Sequence, residues 1–361
     1  MKKYYKLAMT TMFAIIILNL GCKKESKIAE ESDSPYTLEF GALPNPNIAL
    51  DNALTVEGVK LGRMLFYEKM LSSNSQMACA SCHNQKTAFS DTNTFSIGVL
   101  GLPGGRHAMS VFNMAWNSNG FFWDGRSNLL RDQSLKPIQD SLEMHETLPS
   151  VIAKLNASSM YKDQFKKAFG QETITPELMS KAMEQFMNSI VSFHSKYDDF
   201  VAGKTTLTAK EERGRFLFFT EYNPSFPNAS GADCQHCHGG ANFENDKYMN
   251  NGLDDDASIK DIGRGKVTNN TIDKAKFKVT SLRNVELTHP YMHDGRFKTL
   301  EEVVEHYNLV ANSTTLDASF QQQLPYGGLK LSVSDKEALV AFLKTLTDYT
   351  LINETKYSSP F

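Results

Sequence analysis

Two short cysteine and histidine motifs constrain this chain more than any other feature of its sequence. Cys79-Ala80-Ser81-Cys82-His83 and Cys234-Gln235-His236-Cys237-His238 both have the form C-x-x-C-H. With five cysteines and nine histidines in 361 residues, chance alone predicts about 0.002 such matches. Two thiols on one helical turn can both form thioethers with the vinyl groups of a haem, and the next histidine then lies beneath the iron. The motifs therefore predict two covalently bound haem c groups, with His83 and His238 as iron ligands.

Two other uses of such cysteines are weaker interpretations. A zinc site needs further ligands close by, whereas 155 residues separate Cys79 from Cys234. A redox-active cysteine pair explains neither of the histidines that follow the motifs. His236, between the second pair of cysteines, is interpreted as a bystander. Five cysteines are also too few for a disulfide scaffold.

The N-terminus has the pattern of an export signal. Lysines at positions 2, 3 and 6 precede an apolar stretch over residues 7–20, which is too short to span a bilayer comfortably. Cys22 follows Leu20-Gly21, as at a bacterial lipoprotein processing site, although Asn19 stands where such sites usually have leucine. We expect a signal peptide over 1–21, a lipid anchor at Cys22 and a polar linker over 22–45. The mature chain would lie on the periplasmic side of the cell envelope, and ordinary cleavage with an incidental cysteine is the alternative.

The chain repeats itself beyond the two cysteine motifs. Trp123-Asp124-Gly125-Arg126 matches His293-Asp294-Gly295-Arg296 at an offset of 170 residues, and the cysteines repeat at an offset of 155. Two homologous haem domains follow from this duplication. We predict a mainly α fold with two cytochrome c-like haem domains in tandem, over residues 46–202 and 203–361, joined near residues 202–206.

Helix signals are frequent and strand signals are scarce. Thr175 followed by Pro176 predicts the start of a helix that carries the periodic run over residues 178–200. Thr208 with Glu211, and Ser334 with Glu337, have the spacing of capping boxes.

Superposing the two repeats predicts that the haems differ. Tyr307 lies fourteen residues after His293, and Pro137 lies fourteen residues after Trp123. If these positions approach the distal faces, a phenolate closes the second iron, while a proline leaves the first open to small molecules. Packing of Tyr307 in an amphipathic helix is the alternative. Other candidate ligands of the second iron are Met249, Met292, His293 and His306.

Three polar or aromatic residues are candidates for chemistry at the open haem. Gln133 lies one helical turn before Pro137 and can share its face. Glu143 is the candidate carboxylate for moving a proton between the two oxygens of a peroxide, against the alternative of a solvated surface group. Trp123 is the candidate for an oxidisable relay between the haems, against the alternative of a core residue.

These residues together resemble the bacterial di-haem cytochrome c peroxidase family, which includes MauG. The resemblance covers roughly residues 50–350 and is carried by both haem motifs and by segments 106–113, 122–143 and 282–308. It implies that His83 and His238 are the proximal ligands, that Gln133 and Glu143 are the distal peroxide residues, and that Trp123 is the relay. Tyr307 stands where MauG has its tyrosine ligand, so the second haem is expected to be MauG-like.

The chain departs from the family at two points. The family's inter-domain calcium uses an asparagine and the backbone of a Thr-x-Pro turn. Thr288 and Pro290 match that turn, but His107 occupies the asparagine position, and imidazole is a poor calcium ligand. A calcium ion at this place is therefore expected to be held by backbone carbonyls and water. His107 as a distal haem ligand is a further alternative. The loop over 98–106 has no histidine, where family peroxidases have a switching histidine, so the open haem is expected to need no reductive activation.

The predicted function is reduction of hydrogen peroxide to water, with electrons from a small cytochrome c or copper protein. The alternatives are MauG-like oxidation of a protein substrate and a di-haem electron carrier without peroxide chemistry. A formal net charge of −3 leaves no broad basic surface, so no nucleic-acid partner is expected.

Overall fold

The computed structural model describes residues 34–361, so the predicted signal peptide and the anchor at Cys22 lie outside the described residues. Helices dominate this range, and its sheet is one antiparallel pair of strands, β1 (Tyr248–Met249) and β2 (Phe277–Lys278). The prediction of a mainly α fold is confirmed. Among residues 34–361, no helix has the length and apolar character needed to cross a bilayer.

The helices are distributed over the whole described range. The first half contains α1 (Val56–Tyr67), α2 (Cys79–Cys82), α3 (Leu130–Ser134), α4 (Lys136–Gln139), α5 (Leu148–Asn156), α6 (Ser159–Phe169), α7 (Pro176–Ser189) and α8 (Lys196–Val201). The second half contains α9 (Ala209–Phe219), α10 (Gln235–His238), α11 (Arg264–Thr268), α12 (Leu300–Asn308), α13 (Ala318–Gln321) and α14 (Val333–Lys344). Short 3-10 turns occupy Lys69–Leu71, Gln85–Thr87, Met114–Trp116, Pro227–Ala229, Thr271–Asp273, Leu324–Tyr326 and Thr355–Tyr357.

Each half is built around a pair of closely crossing helices. In the first half, Gly62 of α1 faces the backbone of Ala182 in α7, and a methyl group there would overlap the Ala182 carbonyl. In the second half, Gly214 of α9 faces the backbone of Ala338 in α14 in the same way. In each pair, glycine lets the two helix backbones come into contact, and the same glycine-to-carbonyl contact recurs in both halves.

The loops repeat as closely as the helices. Phe121 pairs with Ser127 in an isolated antiparallel bridge, and Tyr291 pairs with Phe297 in another, at the 170-residue offset predicted from the sequence. Gly125 and Gly295 have φ angles of 70° and 62°, which only glycine adopts easily. The duplicated sequence is therefore a duplicated local structure.

The apolar side chains form two clusters, one in each half, but the chain crosses between them. The first cluster is centred on Leu65, Phe66 and Phe186, and the second on Phe218 and Phe342. Tyr197, before the predicted boundary at 202, packs against the second cluster, and Leu351 and Tyr357, near the C-terminus, pack in the first. The domain bounds stay a prediction.

Two helix predictions need correction. The run over 178–200 is not one helix, because α7 ends at Ser189 and α8 begins at Lys196. Between them the Asp348 carboxylate accepts the backbone N–H groups of Phe193 and His194 at 3.0 Å, which a continuous helix would use internally. The predicted box of Ser334 and Glu337 is also wrong, because Ser332 caps α14 by accepting the N–H of Asp335. The predicted caps at Thr175 and Thr208 are confirmed.

Candidate active site

The first cysteine motif forms one helical turn, α2, with His83 directly after it. The Nδ1 atom of His83 lies 3.2 Å from the carbonyl oxygen of Phe89. Because a carbonyl only accepts hydrogen bonds, Nδ1 carries the proton and Nε2 keeps a free lone pair. Burial lowers the pKa of His83, which favours the neutral ring. This is the tautomer that a metal-ligating histidine needs.

The second motif repeats this arrangement at α10. The Nδ1 atom of His238 lies 3.2 Å from the Phe243 carbonyl oxygen and 3.1 Å from that of Thr280. Burial lowers the pKa of His238 to about 4, so its ring is neutral and its Nε2 is free to bind a metal. His236, beside it, is exposed.

None of the four motif cysteines forms a disulfide within the described residues, so each sulfur is available for a thioether bond. Burial raises the pKa values of Cys79 and Cys234 to about 12, which disfavours the thiolates that zinc would bind. Within residues 34–361, no group of three or more His, Cys, Asp or Glu side chains is arranged to hold a metal ion by itself. The cysteine pairs with their histidines therefore suit covalent haem better than zinc.

A cavity of about 990 Å³ adjoins the first motif and extends to the second half of the chain. Its lining combines the residues that the sequence placed at the open haem with residues of the second half: Cys82, His83, Trp123, Gln133, Pro137, Glu143, Lys278, Val279, Thr288, Pro290 and Met292. A second, smaller cavity is lined by Cys79, His83, Gln133, Pro137 and Glu143. The fold therefore brings the predicted distal residues of the first half to the motif they were assigned to.

Glu143 lies in the turn after α4 and is half-buried. Burial, helped by the nearby charge of Asp140 and opposed by that of Arg126, raises the pKa of Glu143 to about 7. Near neutral pH such a carboxyl can hold or release a proton, whereas a fully solvated glutamate is ionised there.

Gln133 and Pro137 belong to consecutive short helices, α3 and α4. The amide of Gln133 can donate and accept hydrogen bonds at the cavity, whereas Pro137 presents only an apolar ring. The roles of Gln133, Pro137 and Glu143 in chemistry stay predictions.

Trp123 lies at the junction between the two halves. Its indole Nε1 donates to the His107 carbonyl at 2.8 Å, and its own carbonyl accepts the N–H of Lys278 at 2.7 Å. The indole ring also meets the ring of His293 edge-on, with centroids 6.5 Å apart. Both halves of the chain thus hold Trp123 in place.

Tyr307 is carried by α12 and lies near the second cysteine pair. The Asn251 amide donates to the Tyr307 hydroxyl at 3.1 Å, and the Tyr307 ring stacks on Phe320 at 5.8 Å. Burial raises the pKa of Tyr307 to about 12, with a smaller contribution from the nearby Cys237 thiol. A cation near the hydroxyl would lower this pKa and favour the phenolate.

The other four candidate ligands of the second iron, named in the sequence analysis, contact other protein groups. His306 Nε2 contacts the Asn251 carbonyl at 3.1 Å, and His293 stacks on Phe277 at 3.7 Å. Met249 lies 3.2 Å from the Cys237 sulfur, and Met292 lies 3.4 Å from the Asn251 amide nitrogen. Tyr307 and Met292 therefore share one hydrogen-bond donor.

His107 does not fit a calcium site. Its Nδ1 contacts the carbonyl oxygens of Asn93 and Thr94 at 3.1 and 3.3 Å, and its buried Nε2 has no hydrogen-bond partner among residues 34–361. His107, Thr288 and Pro290 line the same cavity, but Ca²⁺ takes oxygen ligands and the side chain of His107 offers only nitrogen.

Two sets of contacts were not predicted from the sequence, because no motif marks the residues that make them. Asn251 holds Tyr307 across 56 positions of sequence. Arg106 joins the halves by a paired hydrogen bond to Asp261, at 2.7 and 2.9 Å, and binds Asp124 of its own half at 2.7 Å. The only sequence signal for this second network is that its members are acidic and basic residues.

The fold and these motifs define a mainly helical protein with two c-type haem-attachment segments. Residues 56–206 match the family model described as di-haem cytochrome c peroxidase. The methylamine utilization protein MauG of Methylophilus methylotrophus is 32% identical over 93% of this chain and 96% of that relative. Cytochrome c551 peroxidase of Nitrosomonas europaea is 34% identical over 98% of each chain.

A solved structure supports the same family assignment. The crystal structure of a MauG-like protein associated with microbial copper homeostasis superposes with a TM-score of 0.81 and 31% identity, over 90% of this chain and 99% of that chain. The chain belongs to the di-haem cytochrome c peroxidase family, which includes MauG. The resemblance stated from the sequence is confirmed, and the protein is an oxidoreductase of this family with haem c cofactors.

Proposed function

We propose that this protein reduces hydrogen peroxide to water at the cavity beside His83. Each turnover consumes one peroxide, two electrons and two protons and yields two waters. The observation that carries the proposal is Glu143, a half-buried carboxyl with a pKa raised to about 7, which lines the same cavity as His83, a neutral imidazole with a free Nε2. Relatives named cytochrome c peroxidase support the same reaction.

The two haems would be held by the two halves in tandem, over residues 46–202 and 203–361. Cys79, Cys82 and His83 would hold the first, and Cys234, Cys237 and His238 the second. The haems supply the redox chemistry that accepts electrons and delivers them to the peroxide.

The remaining steps belong to this chain's own side chains. The Glu143 carboxylate accepts the proton of the inner peroxide oxygen and returns it to the outer oxygen, which then leaves as water. Gln133 orients the peroxide by hydrogen bonding. Pro137 offers no ligating atom, so this position would supply no ligand to a haem held by His83, and Trp123 links the two halves as an oxidisable relay.

Tyr307 distinguishes two versions of this activity. A phenolate on the second iron would stabilise its oxidised state, which favours MauG-like oxidation of a protein substrate. The position of Tyr307 beside the second cysteine pair, with Asn251 on its hydroxyl, supports that alternative. The electron donor in the principal proposal is a small cytochrome c or copper protein.

The proposed location is the periplasmic side of the cell envelope, with a lipid anchor at Cys22. The apolar stretch at residues 7–20 and the cysteine after Gly21 support it. Metabolic labelling with a fatty-acid analogue, comparing wild type with Cys22→Ala, tests the anchor.

The experiment that tests the function measures peroxide-dependent oxidation of reduced cytochrome c by the purified di-haem protein. Rapid oxidation with one high-spin and one low-spin haem in the ferric spectrum supports the peroxidase. Peroxide consumption without oxidation of cytochrome c or a copper protein favours the protein-substrate alternative. Two low-spin haems that do not react with peroxide would show an electron carrier instead.

A further inference from the structure

The loop after the first haem motif is folded as a tight hairpin over residues 96–104. Ile97 and Pro103 pair as an antiparallel bridge, and the N–H of Gly98 donates to the Leu102 carbonyl at 2.9 Å. We call this segment the 96–104 hairpin. Its internal hydrogen bonds make it a defined element rather than a loose connection.

The 96–104 hairpin rests on the turn that carries Glu143. The N–H of Val99 donates to the Glu143 carbonyl oxygen at 2.8 Å. Beside this bond, Gly98 lies so close to the turn that a methyl group there would overlap the Leu142 carbonyl and lie 2.8 Å from the Glu143 oxygen. The φ angle of Gly98 is not positive, so lack of space, and not an unusual backbone conformation, is what requires glycine here.

The same hairpin reaches the cavities. Ser96, Ile97 and Gly98 line the smaller cavity together with Glu143 and His83. A shift of the hairpin would therefore move the Glu143 turn and change the cavity at the same time, because backbone contacts cannot be relieved by turning a side chain.

We propose that Gly98 is a positioning residue for Glu143, because it allows the 96–104 hairpin to clamp the turn so that the carboxyl group stays in the cavity. The inference rests on the proposed catalytic role of Glu143. A displacement of about 1 Å in a catalytic group can cost about a hundredfold in rate, so a backbone clamp is an effective control.

Leu100 offers a control in the same hairpin. It is 53% exposed and lines neither of the two cavities. Leu100→Ala thus changes the hairpin without adding an atom against the Glu143 turn, whereas Gly98→Ala adds a methyl group there.

The test is a double-mutant cycle with Glu143→Gln on the di-haem protein, read as kcat/KM for hydrogen peroxide. Gly98→Ala is expected to lower kcat/KM at least tenfold in the wild-type background and less than twofold in the Glu143→Gln background, since the Glu143 contribution is already lost there. Leu100→Ala is expected to stay within twofold in both. Rates are given per protein with two bound haems and an unchanged low-spin spectrum.

A second readout does not depend on the fraction of folded protein. In wild type the acidic limb of kcat/KM should have its midpoint near the Glu143 pKa of about 7, set by burial with Asp140 and Arg126 nearby. Gly98→Ala should move the midpoint towards lower pH, because a displaced carboxyl gains water.

Three results would decide against the proposal. An equal loss from Gly98→Ala in both backgrounds would show that the contact serves folding alone. An unchanged rate in the wild-type background, or an unmoved pH midpoint, would show that the turn does not need the clamp. No effect of Glu143→Gln by itself would instead overturn the proposed role of Glu143.

Discussion

At the scale of single residues, the chemistry depends on which protonation state each side chain can hold. His83 and His238 donate from Nδ1 to backbone carbonyls, which leaves Nε2 for a metal. Burial raises the pKa of Glu143 to about 7 and that of Tyr307 to about 12. The histidine partners lie five or six positions away in the sequence, whereas Asn251, the partner of Tyr307, lies 56 positions away.

Replacing Glu143 with glutamine removes the group that moves the proton between the peroxide oxygens. General acid–base catalysis contributes about 10²–10⁴-fold, so we expect Glu143→Gln to slow peroxide consumption at least tenfold. Stopped-flow kinetics with the di-haem protein measures it. Asp132→Asn, at an exposed carboxylate that lines neither of the two cavities, should have a much smaller effect, and equal effects would contradict the assignment.

The pH dependence of kcat/KM for hydrogen peroxide should have a definite sign. Accepting a proton requires the Glu143 carboxylate, which is populated above its pKa of about 7, so kcat/KM should rise with pH through that value. The contribution of Glu143 to folding stability has the opposite pH dependence. A carboxyl whose pKa is raised by folding favours the fold most below its unfolded pKa and loses this contribution as pH rises through the folded pKa. Rate and unfolding profiles of wild type and Glu143→Gln measure both, and a glutamine variant that keeps the same limb would assign it to another group.

Tyr307→Phe should change the second haem alone. The phenylalanine keeps the ring that stacks on Phe320 but removes the hydroxyl that Asn251 bonds. We expect an altered low-spin signal in electron paramagnetic resonance and an unchanged high-spin signal. Tyr326→Phe, at an exposed tyrosine, is the control. Changes at both haems would mean that Tyr307 supports the fold and not one iron.

At the scale of elements, two crossing helix pairs support the two haem motifs. Gly62→Ala in α1 and Gly214→Ala in α9 would each push a methyl group into a backbone carbonyl of the facing helix. Alanine favours helix by about 1 kcal/mol, but overpacking costs about 1–3 kcal/mol, so both changes should destabilise the protein. Denaturant unfolding measures this, with the exposed Lys60→Ala in α1 as control. A stabilised Gly62→Ala protein would show that the helices can move apart freely.

At the scale of the whole molecule, the two halves meet through Trp123 and through charged groups. Burial opposes the ionisation of Asp261, but hydrogen bonds from Arg106 outweigh it and lower the pKa of Asp261. A lowered pKa gives stability that is present above the unfolded value of 3.8 and is lost as pH falls through the folded value.

Asp261→Asn should therefore destabilise the junction at neutral pH and have less effect in acid. We expect a loss of about 1–3 kcal/mol, because Arg106 loses a charged partner in a partly buried place. Thermal unfolding between about pH 3 and 7 checks it. Glu337→Gln, in an exposed pair with Lys210, should have a much smaller effect on stability, because water and salt screen the pair. Equal losses of stability at the two sites would mean that the Arg106–Asp261 pair stabilises the protein no more than an exposed ion pair does.

The sequence by itself determined the haem motifs, the duplication and the difference between Pro137 and Tyr307. These are properties of residue type and spacing along one chain, and the repeated bridges at Phe121 and Tyr291 show that local structure follows them. The helix caps at Thr175 and Thr208 were predictable for the same reason, since a cap is made within four residues.

Only the tertiary structure decided what depends on contacts between distant segments. The break between α7 and α8 depends on Asp348, the partner of Tyr307 is Asn251, and the space beside Glu143 depends on Gly98. The pKa of Glu143 is raised by burial, a property of the packed fold. Spacing cannot predict these features, because they arise where packing brings together residues tens to hundreds of positions apart.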